Sequence, residues 1–194
     1  MDAVSDLSAR PRPDTAIIAT GENFPDSLVI SGPAASKNMP ILLVKPFKDE
    51  PQPETKVALA GITKTIIVGG PGAVHPNLEN WLNVNKYEVQ TRLWGMTEYD
   101  TAIDVCSSGY DLFGMDRSAV FVTRGDYFTD ALAGGPLAAW WGSAPMVLVR
   151  PDSIPMSTNL WLSGYQDNIY NVFILGGWGA ISDGVKGQID GMIL

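Results

Sequence analysis

The apolar positions of this chain fall in short unbroken runs, not in long periodic stripes. Ala16-Ile17-Ile18-Ala19, Ile41-Leu42-Leu43-Val44 and Thr65-Ile66-Ile67-Val68 are compact and rich in branched side chains. Runs of this kind read as strands buried on both faces of a parallel sheet. Three more lie near residues 119–122, 146–149 and 172–175. Segments of helical character separate the first three, at residues 33–38 and 54–60, and another follows the third at residues 76–83. Pro33 and Pro136 suit a first helical position, where the missing N–H costs nothing. The stretch from Asp26 to Ser31 is then a separate turn. Strands alternating with helices predict an α/β fold of parallel strands joined by right-handed crossovers.

The pattern occurs twice. Gly21-Glu22-Asn23-Phe24-Pro25-Asp26-Ser27-Leu28 matches Gly125-Asp126-Tyr127-Phe128-Thr129-Asp130-Ala131-Leu132. Each is followed by a small-residue segment, Gly32-Pro33-Ala34-Ala35 in one case and Gly135-Pro136-Leu137-Ala138-Ala139 in the other. Pro40-Ile41-Leu42-Leu43-Val44-Lys45-Pro46 then matches Pro145-Met146-Val147-Leu148-Val149-Arg150-Pro151. Last, Ile66-Ile67-Val68-Gly69-Gly70 matches Phe173-Ile174-Leu175-Gly176-Gly177. Matches kept in order mean duplication of one structural unit. We divide the chain into unit 1 at residues 1–86 and unit 2 at residues 87–194. Unit 2 opens with Arg92-Leu93-Trp94-Gly95-Met96-Thr97-Glu98-Tyr99-Asp100-Thr101-Ala102, read as a strand end, a glycine turn and a helix over residues 97–107. Thr97 caps that helix and Asp100 sits in its first turn. Unit 1 has no equivalent: its first strand follows the Pro- and charge-rich residues 5–14.

Composition narrows the function. Of 194 residues, 13 are Lys or Arg and 21 are Asp or Glu, for a net charge of −8. That balance repels a nucleic-acid backbone. One His and one Cys exclude an internal disulfide and a His-pair metal site. No run approaches the roughly 18 apolar residues of a membrane span, and the first ten residues lack the apolar centre of a signal peptide. There is no G-x-S-x-G elbow and no D-x-D pair, so we expect no enzyme.

The ordered set R-x-x-G-x-x-x-Y-x-T-A, G-x-x-F-x-D-[AS]-L, G-P-x-A-A, P-I-L-L and I-x-G-G-x-x-A-[VI] resembles the type 2 cell-wall-binding repeat of Gram-positive surface proteins. The resemblance runs from Thr15 to Ile189. It implies small three-layer β/α units of Toprim-like or Rossmann-like form in tandem, each with a parallel sheet. It implies a secreted, cell-surface anchor that holds an attached protein, such as an S-layer protein, on the wall. The ligand implied is an anionic secondary polymer, a polysaccharide or a teichoic-acid-like chain. It also implies repeats packed in threes, so a third repeat or other chains are expected partners. The family associates its P-I-L-L segment with wall binding, which points to Pro40, Ile41, Leu42 and Leu43, and to the softened Pro145, Met146, Val147 and Leu148. Glu98 stands where the family often has Arg, so unit 2 is the weaker binder or serves structure.

Physical chemistry adds its own candidates. The leucines of the P-I-L-L strand read as core. Lys45 and Arg150 leave matched strand ends and suit phosphate or carboxylate groups. Arg92 and Arg124 offset the acidic residues nearby. Asp26 and Asp130 recur after the first strand of each unit. Capping of a helical turn is their expected role, and a bridging Ca²⁺ the functional alternative. No other cofactor is expected. The glycine loops after the third strands read as tight turns. Trp94, Trp81 and Trp161 read as core or interface, and Cys106 as a small buried hydrophobe. The rival readings are a cytosolic α/β protein that binds a small molecule or nucleotide, and a module that only oligomerises.

Overall fold

The computed structural model describes residues 13–193. Most of the Pro- and charge-rich lead-in at residues 5–14 lies outside the described residues. The first repeat runs β1 (Thr15–Thr20), α1 (Phe24–Val29), α2 (Ser31–Ser36), β2 (Ile41–Val44), α3 (Pro53–Ala58), β3 (Lys64–Val68) and α4 (Pro76–Val84). β4 (Glu88–Leu93) and α5 (Glu98–Phe113) follow. The second repeat continues with β5 (Ala119–Arg124), α6 (Phe128–Trp140), β6 (Met146–Val149), α7 (Met156–Tyr165), β7 (Asn171–Ile174) and α8 (Asp183–Ile193).

Every strand pairing is parallel. One sheet has the order β2-β1-β3-β4 and the other β6-β5-β7. Each sheet is covered by helices on both faces, which makes each repeat a three-layer α/β unit. On one face of the first sheet, Ala16, Ile18 and Ile67 meet Leu78 and Leu82 of α4. On the other face, Ile17, Ile66 and Val68 meet Val29 of α1, Ala34 of α2 and Ile30 between them. Burial of each such branched side chain contributes about 1.5–3 kcal/mol, and β1 and β6 are buried along their full length.

The two repeats do not part cleanly. β4 belongs to unit 2 by sequence, yet it pairs with β3, Ile67 opposite Arg92 and Val68 opposite Leu93. α5 then buries Tyr99, Ala102, Val105 and Phe113 in the core of the first repeat, in a cluster that also takes in Leu148 of β6. In return Leu28 of α1 joins Phe121, Ala131, Ala138 and Met146 in the second core. The small-residue segments let the repeats touch. A Cβ on Gly32 would stand 3.1 Å from that of Ala138, and one on Gly135 would collide with Ser31.

Three expectations are corrected. Pro33 and Pro136 do not open helices. Residues 24–29 and 31–36 are two short helices with Pro33 inside the second, and Pro136 lies within the continuous α6. A proline removes the one bond that its N–H would make and disturbs the carbonyl four residues back. The first repeat breaks near that carbonyl, at Ile30, and the second continues through it. The helix expected over residues 97–107 extends to Phe113, where Gly114 ends it at φ 63°. The P-I-L-L strand β2 is not buried on both faces: it is an edge strand, and Leu43 is 48% exposed.

Candidate functional site: a cleft between the repeats

A cleft of about 350 Å³ lies where the two repeats meet. It opens at the carboxyl ends of β1, β3 and β4. From β1 the chain crosses to one side of the sheet and from β3 to the other. Ligands of open parallel sheets sit at such a reversal point. Asn23, Asp26 and the Gly70–Ala73 turn form one wall, from the first repeat. The segment that follows β4 supplies the other, through Trp94, Met96, Thr97 and Glu98.

Asp26 is 6% exposed and lies beside the glycine loop. A Cβ on Gly69 would come within 2.7 Å of its Oδ2 and 3.0 Å of Ala73. Gly69 also has φ 115°, so glycine is required there twice over. The second repeat repeats the lock. A Cβ on Gly176, at φ 111°, would meet Asp130 Oδ2 and Ala180 Cβ, each at 2.7 Å. The aspartate and the glycine pair, separate motifs along the chain, are thus one arrangement in space. The capping role expected of Asp26 and Asp130 is not what they do. The N-cap positions are Asn23 and Tyr127, neither makes a side-chain cap bond, and both aspartates sit in the first turn. Burial first, then the charge of Glu98, pushes the Asp26 carboxyl up to about 6.

The opposite wall is held by α5. Thr97 and Asp100 form a reciprocal capping box. The Trp94 N–H donates to Asp104 Oδ2 at 2.8 Å and the Gly95 N–H to Thr101 Oγ1 at 3.0 Å. A side chain on Gly95 would run into Asp100. The Trp94 ring lies over Gly70, where a Cβ would stand 3.0 Å from Cε3. Trp94 remains 42% exposed, so it is not simply core or interface: part of it lines the cleft. Trp161, 5% exposed, and Cys106, fully buried with its thiol pushed up to about 12, are core as expected.

Two of the four expected cations are already engaged. Arg92 donates through Nη2 and Nε to Glu79 Oε2 at 2.7 and 3.1 Å, and through Nη1 to the Gly69 carbonyl at 2.8 Å. It therefore pins the glycine loop to the sheet. Arg124 grips Asp126 through two bonds of 2.7 and 2.8 Å, which hold that carboxyl below its usual range. Lys45 and Arg150 are exposed and form no salt bridge among the described residues, and the Arg150 guanidinium stacks 4.9 Å from the Tyr99 ring. Neither lines the cleft. Among the described residues, no group of three or more Asp, Glu, His or Cys is placed to hold a metal ion. No described helix is long and apolar enough to cross a membrane.

The sequence profile of cell wall binding domain 2 (CWB2) matches residues 3–79 and 92–186. The chain belongs to the CWB2 family. Its relatives include the N-acetylmuramoyl-L-alanine amidase LytC of Bacillus subtilis, 25% identical over 90% of this chain and 33% of that protein. The amidase enhancer of the same organism is 28% identical over 91% of this chain and 23% of its own length. Among solved structures, Cwp6 from Clostridium difficile superposes with a TM-score of 0.79 at 24% identity, over 92% of this chain and 27% of that one. Cwp8 from the same organism superposes at 0.76 and 25% identity, over 93% and 29%. The CWB2 chain described here thus spans about a quarter to a third of each of these proteins.

The CWB2 P-I-L-L segments are placed differently in the two repeats. Pro40, Ile41 and Leu42 are half-buried and Leu43 is exposed over Gly21. Pro145, Met146, Val147 and Leu148 are buried, the last three at 0–1% exposure, so their side chains reach no solvent. Reasoning from sequence missed Asn23, Met96 and Glu98 as cleft residues. The signal was there in the segment Trp94-Gly95-Met96-Thr97-Glu98, whose glycine and capping threonine mark a shaped turn. Only the β3–β4 pairing shows which loop it faces.

Proposed function

We propose that this chain anchors an exported protein on a Gram-positive cell wall by non-catalytic binding of an anionic secondary wall polymer, with the inter-repeat cleft taking a sugar unit. The observation that carries this reading is the pairing of the exposed Trp94 ring with the Asp26 and Glu98 carboxyls in one cleft. Sugar hydroxyls donate to carboxylates and to the Asn23 amide, and the C–H face of a pyranose stacks on indole. The acidic cleft disfavours the polymer's phosphate or carboxylate groups, which belong outside it. Lys45 and Arg150 suit them there, as exposed cations in a chain whose net charge is −8. This reading needs no metal, and retention should survive chelation. A third repeat or neighbouring chains complete the assembly at the surface.

The test is retention on purified Gram-positive walls, with and without their anionic polymers. Polymer removal should abolish it. Trp94→Ala should weaken retention by about tenfold, the loss of roughly 1.4 kcal/mol. Lys45→Glu with Arg150→Glu should weaken it and flatten its dependence on salt. Equal retention of the double variant at several salt concentrations would remove both residues from the site. Release of reducing ends from the walls would overturn the non-catalytic reading.

A further inference from the structure

A second cavity, of about 390 Å³, lies at the amino ends of β5 and β7 and shares no residue with the cleft. Tyr110 of α5, the run Asp116-Arg117-Ser118 before β5, and Asn168 and Tyr170 before β7 line it. Cavities of this size take small ligands. The duplication does not account for it. Tyr170 and Asn171 donate their N–H groups to the Ser118 carbonyl, as Thr63 and Lys64 donate theirs to that of Asp14. That register sets Pro13 where Arg117 stands and Thr63 where Tyr170 stands. The first repeat therefore carries neither the cation nor the ring.

Arg117 is held without a counter-charge. Its guanidinium lies 4.8 Å from the Tyr110 ring and 4.4 Å from the Tyr165 ring. Nη2 donates to the Ser107 carbonyl at 3.2 Å, and Nε is sealed from solvent with no partner. Among the described residues no carboxylate forms an ion pair with it. Ring contacts and one carbonyl replace only part of the hydration that a half-buried guanidinium gives up. A staple between α5 and β5 needs only the Nη2 bond, which leaves other donors for a ligand. Asp116 stands next to it as a fixed acceptor. Its Oδ1 accepts the Ser118 N–H at 2.8 Å, and its own N–H donates to the Gly142 carbonyl at 3.1 Å. One cavity thus holds a guanidinium and an exposed carboxylate on adjacent residues that do not pair with each other.

We infer that this cavity binds a short peptide by its two charged ends, the terminal carboxylate on Arg117 and the terminal ammonium on Asp116. The planar fork of arginine suits a carboxylate, and the negative Asp116 beside it repels a doubly charged phosphate. A sugar acid answers Arg117 alone, whereas a zwitterion answers both groups. Tyr110 and Tyr170, 57% and 73% exposed, wall the peptide between its ends, and the Ser118 hydroxyl and Asn168 amide can bond its peptide group. This inference does not depend on the polymer reading above.

The test titrates alanyl-alanine into the whole chain and follows the amide resonances of Ser118, Asn168 and Tyr170. They should move saturably, with a Kd on the order of 1 mM. N-acetyl-alanyl-alanine lacks the ammonium and alanyl-alanine amide lacks the carboxylate; each should bind about tenfold more weakly. Asp116→Asn should abolish the preference over the acetylated form and keep the preference over the amide. Arg117→Gln should do the reverse, and if that variant does not fold, the exposed Asp116→Asn still decides. Resonances unmoved at about 10 mM dipeptide would overturn the site. Equal binding of the blocked forms would overturn recognition by two ends, and equal binding of glucuronic acid would overturn the peptide class. Shifts at Gly70 and Trp94 in place of these three would overturn the location.

Discussion

Asp26 is a carboxylate that its surroundings oppose. It is buried beside Gly69, it is not the cap of α1, and Glu98 adds a second negative charge. Its folded value of about 6 stands above the ordinary 3.8. Between those values the native chain holds a proton that the unfolded chain has lost, so stability falls as pH rises through this window and levels off above it. Asp26→Asn should therefore raise stability at pH 7 by about 2–3 kcal/mol, at 1.36 kcal/mol per unit, and remove the fall that Asp26 contributes between pH 4 and 6. Urea unfolding at pH 4 and pH 7 measures both. An unchanged pH 7 midpoint would show that the carboxylate carries no penalty. The same substitution should weaken wall retention, since a group that costs the fold this much fits a binding role better than a structural one.

Among the elements, β2 and β6 show how far similar sequences can diverge in use. Both follow a proline and both run four residues. β6 is buried throughout because α5 packs over it, and Leu148 reaches into the core of the first repeat. β2 has no such helix, since nothing equivalent to α5 precedes β1 among the described residues. Leu148→Ala should cost about 2–5 kcal/mol, as removal of a fully buried leucine does. Leu43→Ala, at a half-exposed site, should cost less than about 1 kcal/mol. Denaturant midpoints of the two variants separate these outcomes, and similar losses would contradict the burial difference.

For the molecule as a whole, the exchange of parts between repeats implies shared stability. β4 and α5 are unit 2 by sequence and first-repeat core by contact, while Leu28 serves the second core. Neither repeat keeps a complete core when the other unfolds. The chain should therefore unfold in one cooperative transition, with intrinsic fluorescence and circular dichroism coincident. Two separated transitions would show that the repeats stand independently. The same sharing explains why the cleft lies between repeats: one repeat offers the aspartate and glycine loop, and the next offers the wall with Trp94.

Much of this was legible along the chain. Unbroken branched runs between glycines and prolines specify the strands of parallel sheets, but not which of them are central: the run Ile41–Val44 lies at an edge with Leu43 exposed. The duplicated blocks specify two like units, and Thr97 with Asp100 specifies the start of α5 through local hydrogen bonding. Those are short-range effects, decided by neighbours in sequence. The edge position of β2, the joining of Asp26 to Gly69, the capture of Arg92 by Glu79 and the placing of Trp94 over Gly70 were decided only when distant segments met. Strand order and side-chain partners depend on which surfaces remain to be covered once the local elements exist, and no single run of residues carries that information.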